Sequence, residues 1–145
     1  MLSLAMKVTG AGRLATGFNK AAKDTPSQMM KAVAKAGYLV QRTAKENLTG
    51  GNPLNVLTNR LRSSVQVQTK SGGHIAEARV GTVVKYGAVH EFGMTYTSTW
   101  GRGNTPRQIT IPERPWLNPA LKSNRKKIVA IIDKGVQDTL KAAGL

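Results

Sequence analysis

The chain has no cysteine. That absence excludes disulfides, thiolate metal sites and a cysteine nucleophile, and it suits a reducing compartment. Histidine is nearly absent as well, with only His74 and His90. A metal centre needs three or four ligands, no HExxH occurs, and no clustered aspartate pair suggests a two-metal nuclease. No metal and no cofactor is therefore expected. Aromatic residues make up 5% and acidic residues number seven, so a core must lean on Ala, Val, Leu, Ile and Met. No apolar run approaches the roughly 18–20 residues of a membrane span. The apolar opening "MLSLAM" is short and follows no basic residue, so no signal peptide is expected.

What is present is 145 residues with 22 Lys and Arg, giving a net charge of +15. The length suits one domain, 1–145, burying about 68–70% of its unfolded surface. The charge makes a field that attracts nucleic acid or acidic protein surfaces. Its densest cluster is Lys122, Arg125, Lys126 and Lys127, either a solvated helix face or an electrostatic surface for DNA or an acidic partner.

The apolar pattern sets an order of elements. Alternation predicts a short strand over 6–9, and Leu14 and Phe18 share one face of a short helix ending near Asp24. A second helix is expected from Thr25-Pro26-Ser27-Gln28, where Thr25 can cap, Pro26 suits the first position and Gln28 can complete a capping box. Met29, Val33, Gly37, Val40, Ala44 and Leu48 give it one apolar face to about Asn47, and Gly50-Gly51 stop it. Thr58 can cap a turn over 59–63. Val65 and Val67 then alternate with glutamines, Ser71-Gly72-Gly73 turns, and 75–84 returns with Ala76, Ala78 and Val80 on one face, a β-hairpin. Residues 93–108 are polar and rich in Gly and Thr, a long loop of the kind that is either functional or disordered, and 109–111 can return as a strand. Asn118-Pro119 opens a last helix with Leu121, Ile128, Ile132, Val136 and Leu140 on one face.

Reactive chemistry finds little support. His90-Glu91 could serve acid–base work, but a structural or interface His90 and an ion pair from Glu91 to an arginine are the plainer readings. Gly101-Arg102-Gly103 lacks the strand, helix and Gly-Lys-Ser/Thr of a phosphate loop. Ser63 and Ser64 lack nucleophile-elbow spacing. Tyr96 and Trp100 could stack on bases, though Trp, Tyr and Arg also dominate protein contacts. No enzyme is expected.

Two segments carry a resemblance: "YGAVHEFG" at 86–93 and "IPERPWLNPAL" at 111–121. Together they resemble the tail-completion, or neck, proteins of tailed bacteriophages, including the virion-morphogenesis proteins of Mu-like phages. That family shows an aromatic residue, small residues, an acidic or His–acidic pair, an aromatic and a glycine. A proline–aromatic–leucine turn into the last helix follows; Trp116 stands where Phe is more usual. "VTGAGRLATGFNK" and "LTNRLRSSVQVQ" agree more loosely, with Asn59 where glycine is common.

The resemblance implies an α+β subunit, a small antiparallel sheet flanked by a long helix and a C-terminal helix, with an extended arm at about 94–110. It implies a virion protein that assembles with itself as a ring, commonly a hexamer. Its neighbours would be the head connector or stopper and the tail tube or tail terminator, with non-specific contact to packaged DNA also open. The expected subunit contacts are Tyr96, Trp100, Arg102, Arg107 and Trp116. Tyr86, His90, Glu91, Phe92 and Gly93 are expected at the arm's base, with Tyr86 and Phe92 on one side of a turn and Gly93 at positive φ. A head-closure or tail-terminator role is the close alternative. From other classes, a basic DNA-binding module and, more distantly, a nuclease using His74, His90 and Glu91 remain.

Overall fold

The computed structural model describes residues 11–49, 54, 59–72, 75–99 and 106–144. The expected strand at 6–9, Gly50-Gly51, Thr58, His74, Trp100 and Arg102 lie outside the described residues. The elements are α1 (Ala11–Asn47), α2 (Arg60–Ser64), β1 (Gln66–Gly72), β2 (Ile75–Gly81), α3 (Lys85–Phe92), β3 (Met94–Ser98), β4 (Arg107–Ile111) and α4 (Leu117–Ala143). The class is α+β, as expected.

Where the sequence predicts two helices broken at Pro26, α1 runs unbroken for 37 residues with Pro26 inside it. An interior proline removes one helical hydrogen bond and costs about 3 kcal/mol. Thr25 does not cap: its hydroxyl donates back to the Ala21 carbonyl at 2.5 Å, and Ser27 donates to Asp24 at 3.0 Å. Packing outweighs the local stop signal. α4 runs antiparallel to α1 along most of its length. Lys20 Nζ donates to the Ala142 carbonyl, Asn124 Nδ2 to Thr43 Oγ1, and Asn47 Nδ2 to the Trp116 carbonyl.

The face that α4 turns to α1 also differs from the expected one. Ala120, Asn124 and Thr139 are buried, and Gly135 lies against Ala32. Leu121, Val136 and Leu140, expected inside, are exposed. One residue turns a helix by about 100°. The small-residue stripe therefore wins the contact with α1, because it lets the two axes approach closely, while of the bulkier stripe Ile128 still packs against the core and Ile132 is half-buried.

β1 and β2 pair antiparallel from Gln66↔Gly81 to Gly72↔Ile75. The hairpin packs on α1, with Val67 and Ala78 over Gly37. Ala76, Ala78 and Val80 are half-buried, and Ile75 stands exposed on the other face. Asn59 precedes α2 at φ 57°, the only non-glycine positive φ among the described residues. Asn tolerates that left-handed conformation better than most residues. The core centres on Val40, Ala44, Leu48, Leu54, Val65, Trp116 and Ala120.

The strands form two separate ribbons. β3 and β4 pair from Met94↔Ile111 to Ser98↔Arg107, so the base of the expected polar loop is a two-stranded ribbon. Apart from pairing with each other, these strands meet the remaining elements only marginally.

Candidate functional site

The ribbon springs from a joint built by α3 and the start of α4. At the joint's centre is Glu91, 7% exposed. Its Oε2 accepts the backbone N–H groups of Trp116 and Leu117, and its Oε1 accepts that of Asn118, all at 2.8 Å. A helix start leaves four N–H groups without intrahelical partners. In α4 these fall at residues 116–119, and Pro119 has no N–H. One carboxylate therefore satisfies every free donor of this helix end. Its negative charge also lies where the helix dipole favours an anion. Among the described residues Glu91 does not form its expected ion pair to an arginine; the helix end is its partner.

Trp116 locks the same joint. Expected at a subunit contact, it is instead 1% exposed inside its own chain. Its ring is the largest side chain of the core, and its Nε1 donates to the Gly87 carbonyl at 3.1 Å. α3 reaches this position because Gly87 has no side chain. A Cβ there would lie 2.6 Å from Thr82 Cγ2 and 2.9 Å from Leu61 Cδ1. Thr82 Oγ1 in turn accepts the Val84 N–H at 3.0 Å and shares a 2.6 Å hydrogen bond with Ser64 Oγ.

Gly87 and Glu91, four residues apart, thus form the inward face of α3. The expected apolar side is the outer one: Tyr86 is exposed and Phe92 is 77% exposed. Neither holds the arm's base by burial. Tyr86 meets the His90 ring edge-on, with centroids 6.0 Å apart. Backbone groups do the holding. The Arg114 N–H donates to the His90 carbonyl at 2.6 Å. Gly93 takes φ 68°, as expected, and a Cβ on it would lie 3.1 Å from both Ile111 O and Glu113 N. The two ends of the ribbon close on that glycine.

Directly opposed residues in an antiparallel pair share a face. Met94, Tyr96, Ile109 and Ile111 therefore line one face of the ribbon, with Ser98 and Arg107 beyond them. Thr95, Thr97, Gln108 and Thr110 line the other, where the Thr95 and Thr110 hydroxyls are 3.2 Å apart. Met94 and Tyr96 remain exposed. Ile109 and Ile111 are half-buried, so among the described residues it is the β3 side of that face that is left open.

A second uncovered apolar surface lies between α1, β2, α3 and α4. It is a groove of about 710 Å³, walled by Val33 and Ala36, Val80, Phe92, and Leu121 and Ile132. Val83, 85% exposed, stands at its edge. The ionisable groups along it are Lys85 and Glu91, and Glu91 is already engaged by three N–H donors.

Lys122, Arg125, Lys126 and Lys127 are all exposed on α4. Among the described residues two ion pairs form, Arg42–Glu46 at 3.0 Å and Arg79–Glu77 at 2.6 Å. The hydrogen bond from Arg79 holds the Glu77 carboxyl below its ordinary range. Both pairs are at the surface and contribute little, so most of the positive charge is left unneutralised. Among the described residues no three His, Cys, Asp or Glu side chains gather as metal ligands, and no helix is long and apolar enough to cross a membrane.

Sequence reasoning missed the task of Glu91. Its one signal is indirect: Trp116 cannot cap a helix, so the donors of α4 need an acceptor from elsewhere in the chain. The sequence model of the phage virion morphogenesis family matches residues 34–137. That span holds the joint, the ribbon, most of α4 and the C-terminal part of α1. No curated protein and no solved structure matches the chain.

Proposed function

The chain belongs to the phage virion morphogenesis family, and from that premise we propose that it is a structural subunit of the virion neck. It completes the tail and joins it to the head connector as one copy in a ring. The role is structural rather than catalytic. The partners are further copies of the chain, the connector or stopper on the head side, and the tail tube or terminator on the other.

One observation carries this reading. A two-stranded ribbon that leaves Met94 and Tyr96 of its apolar face exposed is held at its base by a rigid joint, through Gly93, the Arg114–His90 hydrogen bond and the Glu91 cap. A ribbon that served only its own domain would turn Met94 and Tyr96 inward. Held out from the body, it suits contact with another chain, where Tyr and Arg are favoured. The charge supports the same reading, since a ring of +15 subunits needs acidic protein or phosphate nearby.

The test is complementation of phage particles that lack the protein. Filled heads and finished tails should accumulate apart, and purified chain should join them. A variant lacking residues 97–105 should keep its circular dichroism but fail to join. Arrest before heads or tails are complete would refute the joining role. The exposed cluster at Lys122, Arg125, Lys126 and Lys127 favours a second reading, a basic DNA-binding module. Tight, steeply salt-dependent binding of the isolated chain to duplex DNA would support that reading instead.

A further inference from the structure

We propose that α1 carries a built-in hinge at Pro26, about which its first part, residues 11–25, swings away from α4. The protein then has two states. In one the helix is unbroken; in the other Thr25 caps a helix that starts at Pro26. The hinge does not depend on the virion role.

The features that make the hinge gather in one turn. Pro26 has no N–H, so the Ala22 carbonyl lacks its helical donor. On either side of it, Thr25 and Ser27 turn their hydroxyls back onto the Ala21 and Asp24 carbonyls, at 2.5 and 3.0 Å. Such back-bonding weakens and bends a helix. Residues 25–27 are all exposed, so the proline fills no gap in the core that would account for it. The same residues spell a helix start: Thr25, Pro26 and Gln28 hold the cap, first and third positions of a capping box. In the broken state the Thr25 hydroxyl accepts a free N–H instead of donating backward, and Gln28 reaches back to the Thr25 N–H. The turn therefore suits two conformations, and packing alone selects the unbroken one.

That packing is thin before Pro26. Among the described side chains of residues 15–25, Gly17 and Ala21 are the buried ones, and Phe18 is 61% exposed. Burial stabilises in proportion to apolar area, and two such small residues supply little. Lys20 is the latch. Its Nζ donates to the Ala142 carbonyl at 2.8 Å, one of those that a helix end leaves without a partner, and its charge suits the negative end of the α4 dipole. Other charges oppose docking: Arg13, Lys20 and Lys23 against Asp24, on a chain of net charge +15. After Pro26 the contact changes character. Ala32, Ala36, Val40 and Ala44 are buried in succession, and Asn47 and Asn124 hydrogen-bond across to the other helix. The hinge falls where weak holding gives way to strong.

The cysteine-free chain accepts spin labels at chosen sites. Phe18→Cys with Val129→Cys spans the hinge, while Tyr38→Cys with Leu140→Cys lies wholly beyond it; all four positions are exposed. Pulsed dipolar measurements should give two distances for the first pair and one for the second. Pro26→Ala restores the missing donor. It should lower the open fraction about tenfold or more, and slow amide hydrogen exchange over 18–25 by a similar factor. Thr25→Asp, a strong cap that cannot donate back to Ala21, should raise the open fraction several-fold, as should Lys20→Met, which removes the latch. A single distance for the first pair that Thr25→Asp does not split would overturn the hinge. So would exchange over 18–25 that Pro26→Ala leaves unchanged. Broadening of both pairs together would show the whole domain loosening rather than α1 breaking at Pro26, and would overturn it as well.

Discussion

Replacing Glu91 with alanine should destabilise the fold by about 3–4 kcal/mol, although the residue is neither apolar nor central to the hydrophobic core. The figure follows from the three N–H donors it serves, each at 2.8 Å. A hydrogen bond to a charged group contributes about 1.5–3 kcal/mol, and a buried donor left unpaired costs about 1–3 kcal/mol. The Trp116 N–H is buried and would be stranded. The Leu117 and Asn118 N–H groups are only partly buried, and water can replace much of what they lose. Loss of the anion at the helix start adds about 0.3–1 kcal/mol. Against a total stability of 5–15 kcal/mol for an ordinary domain, that is a large fraction. Urea unfolding followed by Trp116 fluorescence and circular dichroism measures it. With m of about 1–3 kcal/mol per molar, the midpoint should fall by roughly 1–4 M with m unchanged. Glu91→Gln keeps an acceptor but turns an amide NH₂ toward donors, and should lose about 2 kcal/mol. A loss below about 1 kcal/mol in Glu91→Ala would show that the carboxylate does not hold the start of α4.

Trp116→Ala should cost about 3–5 kcal/mol by urea unfolding, because the ring is enclosed. Trp116→Phe should cost about 1 kcal/mol beyond its packing change, since the Gly87 carbonyl loses its donor. Gly87→Ala should lower stability by about 1–3 kcal/mol, read from thermal melts, because the added methyl meets Thr82 and Leu61; an unchanged melt would mean that α3 can shift outward freely. Replacing Lys122, Arg125, Lys126 and Lys127 with Gln should leave stability within about 0.5 kcal/mol. The same change should flatten the salt dependence of binding to a connector complex or to DNA.

Much of the architecture was legible because it is written in local pattern. Alternation around Val65 and Val67 marked the β1–β2 hairpin, and Ala76, Ala78 and Val80 share its half-buried face as expected. Gly93 was expected at positive φ and has it. The two motifs at 86–93 and 111–121 carried a family resemblance, and these are the segments that meet in the joint. β3 was hidden because "MTYTS" reads as polar until Ile109 and Ile111 are placed opposite Tyr96 and Met94. Thr and Tyr are good strand formers, so the strand was consistent with its residues but not announced by them.

The sequence by itself determined the β1–β2 hairpin and the C-terminal helix, and the resemblance carried by its two motifs implied the α+β class. The hairpin and the helix each depend on residues a few positions apart. Tertiary structure decided that α1 continues through Pro26, that α4 faces it with Ala120 and Asn124, and that Glu91 caps a helix while Trp116 lies inside. These outcomes turn on contacts between residues far apart in the chain. A proline's local cost, a helix's rotation and a carboxylate's choice of partner are each settled by what packs against them.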